Sequence, residues 1–139
     1  MLKSDYLLNL NEKQQEAVLH LEGPLLIVAG AGSGKTKVLT SRIAHIIKSH
    51  KAFSSQILAV TFTNKAAREM LERVEDLVPH ETRSIWGGTF HSIGNRLLRR
   101  HAESVGLTSS FSIMDREDQK DLMAVSIAAA GVNTKEVRF

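Results

Sequence analysis

The sequence predicts an α/β fold with a mostly parallel sheet. Two short apolar runs, residues 25–29 and 57–62, have the composition expected of strands that are buried on both faces. A segment with helical spacing of apolar residues comes after each run, at residues 36–48 and 65–78. Strands that alternate with helices in this way are typical of parallel sheets, so these observations together indicate the fold class.

The remaining elements continue the alternation. Residues 11–21 are predicted to form a helix that Asn11 caps, and residues 84–90 to form a third strand. A helix is predicted at residues 92–104 and a short extended piece at 111–113. Asp115 is expected to cap a helix that runs to Ala130, and this use is favoured over a metal-binding role because capping aspartates are common. Asn133 is expected to cap one further helix.

Composition excludes several classes of protein. The chain has 139 residues, of which 42% are apolar and 24% charged, and this suits one domain or one domain with part of another. The net charge of +3 is compatible with a polyanionic partner. The absence of cysteine excludes disulfide scaffolds, zinc fingers and thiol catalysis. No apolar run approaches a membrane-spanning length, and the first residues do not resemble a secretory signal, so we expect a cytoplasmic protein without membrane contact.

Residues 29–36, Ala-Gly-Ala-Gly-Ser-Gly-Lys-Thr, have the pattern of a phosphate-binding loop between a buried strand and a helix. Lys35 is expected to reach the β and γ phosphates, and the Thr36 hydroxyl to bind Mg²⁺. Glycines allow several backbone N–H groups to point into one hollow at the start of the helix. The backbone groups expected to bind phosphate belong to Ala31, Gly32, Ser33 and Gly34.

The alternative interpretation of this segment is a glycine-rich turn that only caps a helix. The strand before the loop and the Lys-Thr pair at its end favour the phosphate-binding interpretation. Kinases, GTPases, ABC proteins and helicases all have such loops, so the loop predicts nucleotide binding without naming a reaction.

Three flanking segments are further candidates for binding. The Gln14 carboxamide can donate to and accept from the N6 and N7 edge of adenine, although most surface glutamines are only solvated. Residues 62–64 and 89–91 each lie where a predicted strand gives way to a helix. That edge of a parallel sheet is where ligands bind.

Taken together, these segments resemble the superfamily 1 DNA helicases of the UvrD/Rep/PcrA type. The resemblance covers the chain from Tyr6 onward and is carried by residues 10–18, 29–36, 60–67 and 88–91 in that order. Residues 111–115, with Asp118 and Gln119, are also similar. The resemblance implies a partial RecA-like phosphate-loop domain with a parallel sheet, running into the start of a helical subdomain.

The resemblance also implies roles for individual residues. ATP and Mg²⁺ would be the cofactors, with Lys35 and Thr36 in the catalytic site, Thr36 as the metal ligand and Gln14 on the adenine. Lys37 stands where the family usually has an arginine that stacks on adenine, and lysine lacks the planar guanidinium for this. Single-stranded DNA would be bound by Phe62, Thr63, Asn64, Thr89, Phe90 and His91.

Physical chemistry supports this division of roles, but leaves alternatives open. Aromatic rings stack on any base, and hydroxyl and amide groups bind phosphates. Phe62 and Phe90 can equally be core residues, and His91 would be assigned to the core without the motif. The arginines of the helix after residue 92 are expected to form a solvated face rather than a phosphate site. These are Arg96, Arg99 and Arg100.

The family's second motif, an apolar strand ending in Asp-Glu, does not occur in this sequence. The arginine fingers and the second motor domain are also missing. Because hydrolysis needs those charges around the γ-phosphate, we expect this piece to bind nucleotide without hydrolysing it or unwinding DNA.

The sequence is therefore interpreted as the N-terminal ATP-binding part of a 3′–5′ DNA helicase of DNA repair, with residues 1–90 in the ATP-binding domain and 91–139 in the helical subdomain. Its partners would include the remaining helicase domains. An incomplete sheet is expected to leave an open edge that promotes self-association. The alternatives are a short protein that binds nucleotide or DNA without hydrolysis, and a nucleotide kinase, for which no lid of arginines is seen.

Overall fold

A computed structural model describes residues 5–131 of the chain. Within them it has a mixed α/β fold with six α-helices and a two-stranded parallel sheet. The helices are α1 (Asp5–Leu8), α2 (Glu12–Leu19), α3 (Lys35–Lys48), α4 (Asn64–Leu77), α5 (Phe90–Arg100) and α6 (Arg116–Ala129). The strands are β1 (Leu58–Thr61) and β2 (Trp86–Thr89). Short 3-10 turns occur at Ser54–Gln56, Thr82–Ser84 and Ala102–Val105.

The two strands form one β–α–β unit with α4 as the connection. Leu58 pairs with Trp86 and Thr61 with Thr89, so both strands end at the same edge of the sheet. A Cβ atom added to Gly87 would lie 2.8 Å from the side chain of Leu71 on α4. The missing side chain therefore lets α4 pack closely on β2. The predicted α/β class and the strands at 57–62 and 84–90 are confirmed.

The core lies between α2, α3, α4 and the sheet. α4 buries Ala67, Met70 and Val74, which lie on one helical face. The neighbouring Ala66 is exposed, because one residue along a helix turns the side chain by about 100°. The buried core residues are Tyr6, Leu10, Val18, Val38, Ile43, Ala44, Ala59, Met70, Val74, Val78 and Ile85.

Residues 25–29 do not form the buried strand that the sequence predicts. The segment is not part of the sheet, and the side chains of Leu26 and Val28 are 86% and 88% exposed. A strand exists only through hydrogen bonds to a neighbour, and the sheet within residues 5–131 contains only β1 and β2. The apolar run therefore enters the phosphate loop without a strand beside it.

The helix caps predicted at Asn11 and Asp115 are confirmed. The Asn11 carboxamide accepts a hydrogen bond from the backbone of Gln14, and the Asp115 carboxylate accepts from Glu117 and Asp118. Both residues form full capping boxes. Residues 111–113 belong to neither a helix nor a strand. The cap predicted at Asn133 lies outside the described residues.

The chain divides into two compact units between Leu97 and Leu98, inside α5. The first contains the sheet, the phosphate loop and α1 to α4. In the second, the Arg99 guanidinium donates to the Ser109 carbonyl at 2.7 Å and lies 4.7 Å from the centre of the Phe111 ring. None of the helices described between residues 5 and 131 is long and apolar enough to cross a bilayer.

Candidate functional site

The phosphate loop adopts a curved backbone at the start of α3. Gly32 and Gly34 have φ angles of 74° and 83°, in the left-handed region where a side chain is strained. Gly34 is the N-cap of α3 and offers no side chain to its first amides. The amides at this helix end therefore carry the partial positive charge that favours anions. Ala31 and Ser33 complete the exposed turn before Gly34.

The Lys35 side chain folds back onto the loop that precedes it. Its Nζ donates to the carbonyls of Ala29 at 2.9 Å and Gly30 at 2.6 Å. The Ser33 hydroxyl also donates to Gly30, at 2.6 Å. The cation predicted to bind phosphate is thus held at the loop by two neutral carbonyl groups. An incoming phosphate would replace these acceptors with a charged one, to which hydrogen bonds are stronger.

Gln14 joins α2 to the phosphate loop. Its Nε2 donates to the Ser33 carbonyl at 3.0 Å, across 19 residues of sequence. Its Oε1 accepts from the Asn11 backbone at 3.0 Å, which closes the capping box of α2. Both ends of the carboxamide predicted to contact adenine are therefore bound to the protein. A Cβ atom on Gly34 would lie 3.0 Å from this Nε2, so Gly34 leaves room for the contact.

A cavity of about 300 Å³ lies beside the loop. Its lining combines apolar side chains of Ala17, Ile27 and Val38 with polar groups of Gln14, Ser33 and Lys35. Apolar walls with a few polar groups are typical of small-molecule sites. The geometry places the predicted adenine-binding residue and the predicted phosphate-binding residue on the wall of one cavity.

The two residues after Lys35 differ in their contacts. Thr36 is exposed in the first turn of α3, next to the loop. The Lys37 Nζ donates to the Asn9 carbonyl at 2.7 Å and so ties α3 to the residues before α2. Within residues 5–131 there is no group of three or more His, Asp or Glu side chains that could hold a metal ion by themselves.

The residues predicted to bind DNA gather at the edge where β1 and β2 end. Phe62 follows β1 and Phe90 follows β2, and their ring centres lie 5.6 Å apart at an angle of 49°. The two residues are 89% and 55% exposed. The alternative that they belong to the core is therefore wrong. A tilted pair of exposed rings provides a surface on which flat apolar groups can stack.

The polar residues at this edge differ in whether their side chains are bound at a helix start or exposed. Thr63 caps α4, because its hydroxyl accepts from the Ala66 backbone at 3.1 Å. Thr89 is buried and exchanges hydrogen bonds with Ser92 in both directions, at 2.9 and 3.1 Å. Asn64 and His91 are exposed beside them. The structure thus brings all six predicted residues to the ends of the two strands, with Thr63 and Thr89 used to start the helices.

Sequence reasoning missed several residues that hold these groups in place. Ser92 stabilises the start of α5, because its hydroxyl donates to the Thr89 carbonyl. Its three-residue spacing from Thr89, which is typical of a helix cap, is the sequence signal for this contact. The Arg42 guanidinium donates to the carbonyls of Ala17 and His20 and closes the end of α2. The cap at Gln14 was visible in the Asn11–Gln14 spacing. No local pattern indicated the contact of Arg42.

One ion pair modifies the charge beside the cavity. Lys13, which also lines it, donates to the Glu16 carboxylate at 2.9 Å. This hydrogen bond raises the pKa of Lys13 and lowers that of Glu16. Both side chains are exposed, so the pair contributes little to stability.

Comparison with known proteins identifies the family of the chain. A family model described as the UvrD/REP helicase N-terminal domain matches residues 10–139. An ATP-dependent DNA helicase PcrA of Leuconostoc citreum is 51% identical over 128 residues, which are 91% of this chain and 17% of the relative. A probable DNA helicase II homologue of Rickettsia conorii is 50% identical over 98% of this chain and 21% of its own length. The chain thus spans about a fifth of the relatives it matches.

Proposed function

Because the chain belongs to the UvrD/REP helicase N-terminal domain family, we propose that it is the ATP-binding part of an ATP-dependent 3′–5′ DNA helicase. In this function ATP hydrolysis drives movement along single-stranded DNA. The helicase class rests on the family match, and the observation that carries the ATP-binding role is the phosphate loop at the start of α3, with Lys35 and a cavity beside it. A partial RecA-like fold, with residues 1–90 and 91–139 as separate domains, is part of the proposal.

In the nucleotide site, Lys35 would bind the β and γ phosphates, and the Thr36 hydroxyl would be the protein's ligand to Mg²⁺. The amides of residues 31–34 would donate to the phosphates, and Gln14 and Lys37 would contact the adenine. This assignment is supported by the left-handed glycines and by the position of Gln14 and Lys35 on one cavity. Mg²⁺ supplies charge neutralisation of the phosphates when it is bound.

In the DNA site, Phe62 and Phe90 stack on bases, while Asn64 and His91 contact the backbone. The support for this role is the exposure of both rings at the edge where the parallel strands end. Thr63 and Thr89 act there chiefly by fixing the helix starts beside the rings.

The chain alone is proposed to bind nucleotide without hydrolysing it. Its sequence lacks an apolar strand ending in Asp-Glu, and Asp115 is used as a helix cap. Without the Asp-Glu pair and the arginine charges, the transition state at the γ-phosphate is not stabilised. We propose that the protein acts in the cytoplasm and takes part in DNA repair. We also propose that the chain self-associates through the exposed residues 25–28.

The decisive test is a titration with a fluorescent ATP analogue, with and without Mg²⁺. Lys35→Ala should weaken binding about tenfold or more, because a charged hydrogen-bond donor to phosphate contributes roughly 1.5–3 kcal/mol. Lys120→Ala, which removes the same charge from the exposed face of α6, should bind like the unchanged chain. Equal affinity of all three proteins would contradict the nucleotide site.

A further inference from the structure

The Gln14 side chain is the polar contact between α2 and the phosphate loop. From this geometry we infer that Gln14 is a positioning residue for the phosphate loop, in addition to any contact with a base. It would act on phosphate affinity through Ser33, even for a ligand that has no base. The inference rests on the proposed nucleotide site and deepens it.

The effect follows from the geometry of one peptide bond. The described chain has no cis peptide, so the C=O of Ser33 and the N–H of Gly34 point in opposite directions. When Gln14 Nε2 holds the Ser33 oxygen at 3.0 Å, it also fixes the direction of the Gly34 N–H. That N–H is one of the loop amides proposed to bind phosphate. Gln14 lies outside the loop and nevertheless fixes the direction of one N–H group that would donate to phosphate.

The loop needs such a support because its own backbone is permissive. Gly32 and Gly34 flank Ser33, and glycine has access to more backbone conformations than any other residue. The Ser33 hydroxyl is bound to Gly30 within the loop, so it does not connect the loop to the rest of the fold. Gln14 supplies that connection, and its carboxamide is held by the backbone N–H of Asn11, which donates to Oε1.

The test separates the two roles by using a ligand without adenine. Binding of inorganic tripolyphosphate and of ATP, each with Mg²⁺, is measured by calorimetry on the 139-residue chain. Gln14→Met keeps the size of the side chain and removes the donor to Ser33. We expect tripolyphosphate affinity to fall roughly three- to tenfold, the range for one hydrogen bond, and ATP affinity to fall at least as much.

Two further variants separate the loss of the donor from damage to the cap and from a change of charge. Asn11→Ala removes the side-chain half of the same cap and leaves the Gln14–Ser33 contact, so it should keep the affinity of the unchanged chain for tripolyphosphate. Gln14→Glu keeps the acceptor for the Asn11 N–H and loses the donor. Its defect should persist at high salt, where its added charge is screened.

Each outcome has a definite meaning. If Gln14→Met weakens ATP and leaves tripolyphosphate unchanged, Gln14 only contacts the base and the inference is wrong. If Asn11→Ala weakens tripolyphosphate as much as Gln14→Met, the effect belongs to the cap and the inference is also wrong. If the unchanged chain binds neither ligand, the proposed nucleotide site itself falls.

Discussion

The two candidate sites differ in how far their side chains are already engaged within the protein. At the phosphate loop, Gln14, Lys35 and Lys37 all donate to backbone carbonyls. At the strand ends, Phe62 and Phe90 are exposed and contact each other. Phosphate binding by Lys35 therefore exchanges its existing hydrogen bonds for new ones, which reduces the net gain of each. Stacking at the strand ends covers exposed apolar surface and gives up no hydrogen bond of the two rings.

The segment before the loop differs from the strand ends in a second way, since residues 25–28 pair with no strand within the described part of the chain. We expect this segment to join copies of the chain. Leu26→Lys with Val28→Lys should weaken self-association about a hundredfold or more, because burial of each apolar side chain contributes about 1.5–3 kcal/mol. Sedimentation over a range of concentrations measures the effect.

The matched control for this experiment lies on α6. Leu122→Lys with Val125→Lys makes the same two changes at positions that are 52% and 66% exposed. A chain that is monomeric at high concentration, or an equal loss from both pairs, would contradict the role of residues 25–28.

The strand-end site can be tested at one ring. Phe62→Ala should weaken binding of a short single-stranded DNA about tenfold, since stacking of one base on an aromatic ring contributes about 1–3 kcal/mol. Phe53→Ala is the matched control, because Phe53 precedes β1, lies at the other end of the strand and is 77% exposed. The affinities follow from fluorescence anisotropy at fixed salt, and similar losses in both variants would argue against a site at the strand ends.

The smallest expected effect concerns the contact between α1 and α3. The Tyr6 hydroxyl lies 2.9 Å from His45 Nδ1, and burial, with a smaller effect of Arg42, lowers the pKa of His45. The folded protein therefore binds this proton less readily than the unfolded chain. Neutral His45 therefore makes its full contribution to the free energy of unfolding above about pH 6.5, and this contribution is lost as the pH falls below that value.

Thermal unfolding at about pH 7.5 and about pH 5.5, on either side of the ordinary histidine pKa, measures this contribution. His45→Gln keeps a polar side chain at the same position and does not titrate. The difference in Tm between the two pH values should be smaller in this variant than in the unchanged chain. Identical pH responses would show that His45 is not responsible.

The sequence predicted well those features that depend on neighbouring residues. The caps at Asn11 and Asp115 and the strands at β1 and β2 follow from local spacing and composition. The strand at residues 25–29 was wrong because a strand needs a partner, and an apolar run does not contain that information.

The contacts of the site residues were less accessible to sequence analysis. Gln14 and Ser33 are 19 residues apart, and Lys37 and Asn9 are 28 apart. Such contacts depend on how helices pack, which a spacing rule does not describe. The exposure of Phe62 and Phe90 could not be decided from residue type, because phenylalanine suits a core equally well.

Arg42 and Lys37 together fix α2 against α3. Arg42 binds the carbonyls at the last turn of α2, and Lys37 binds Asn9 just before its first turn. Since α3 also begins at the phosphate loop, the distance from Gln14 to that loop is set at both ends of one helix. Loss of either side chain would therefore loosen α2 against α3 and disturb the contact between Gln14 and Ser33.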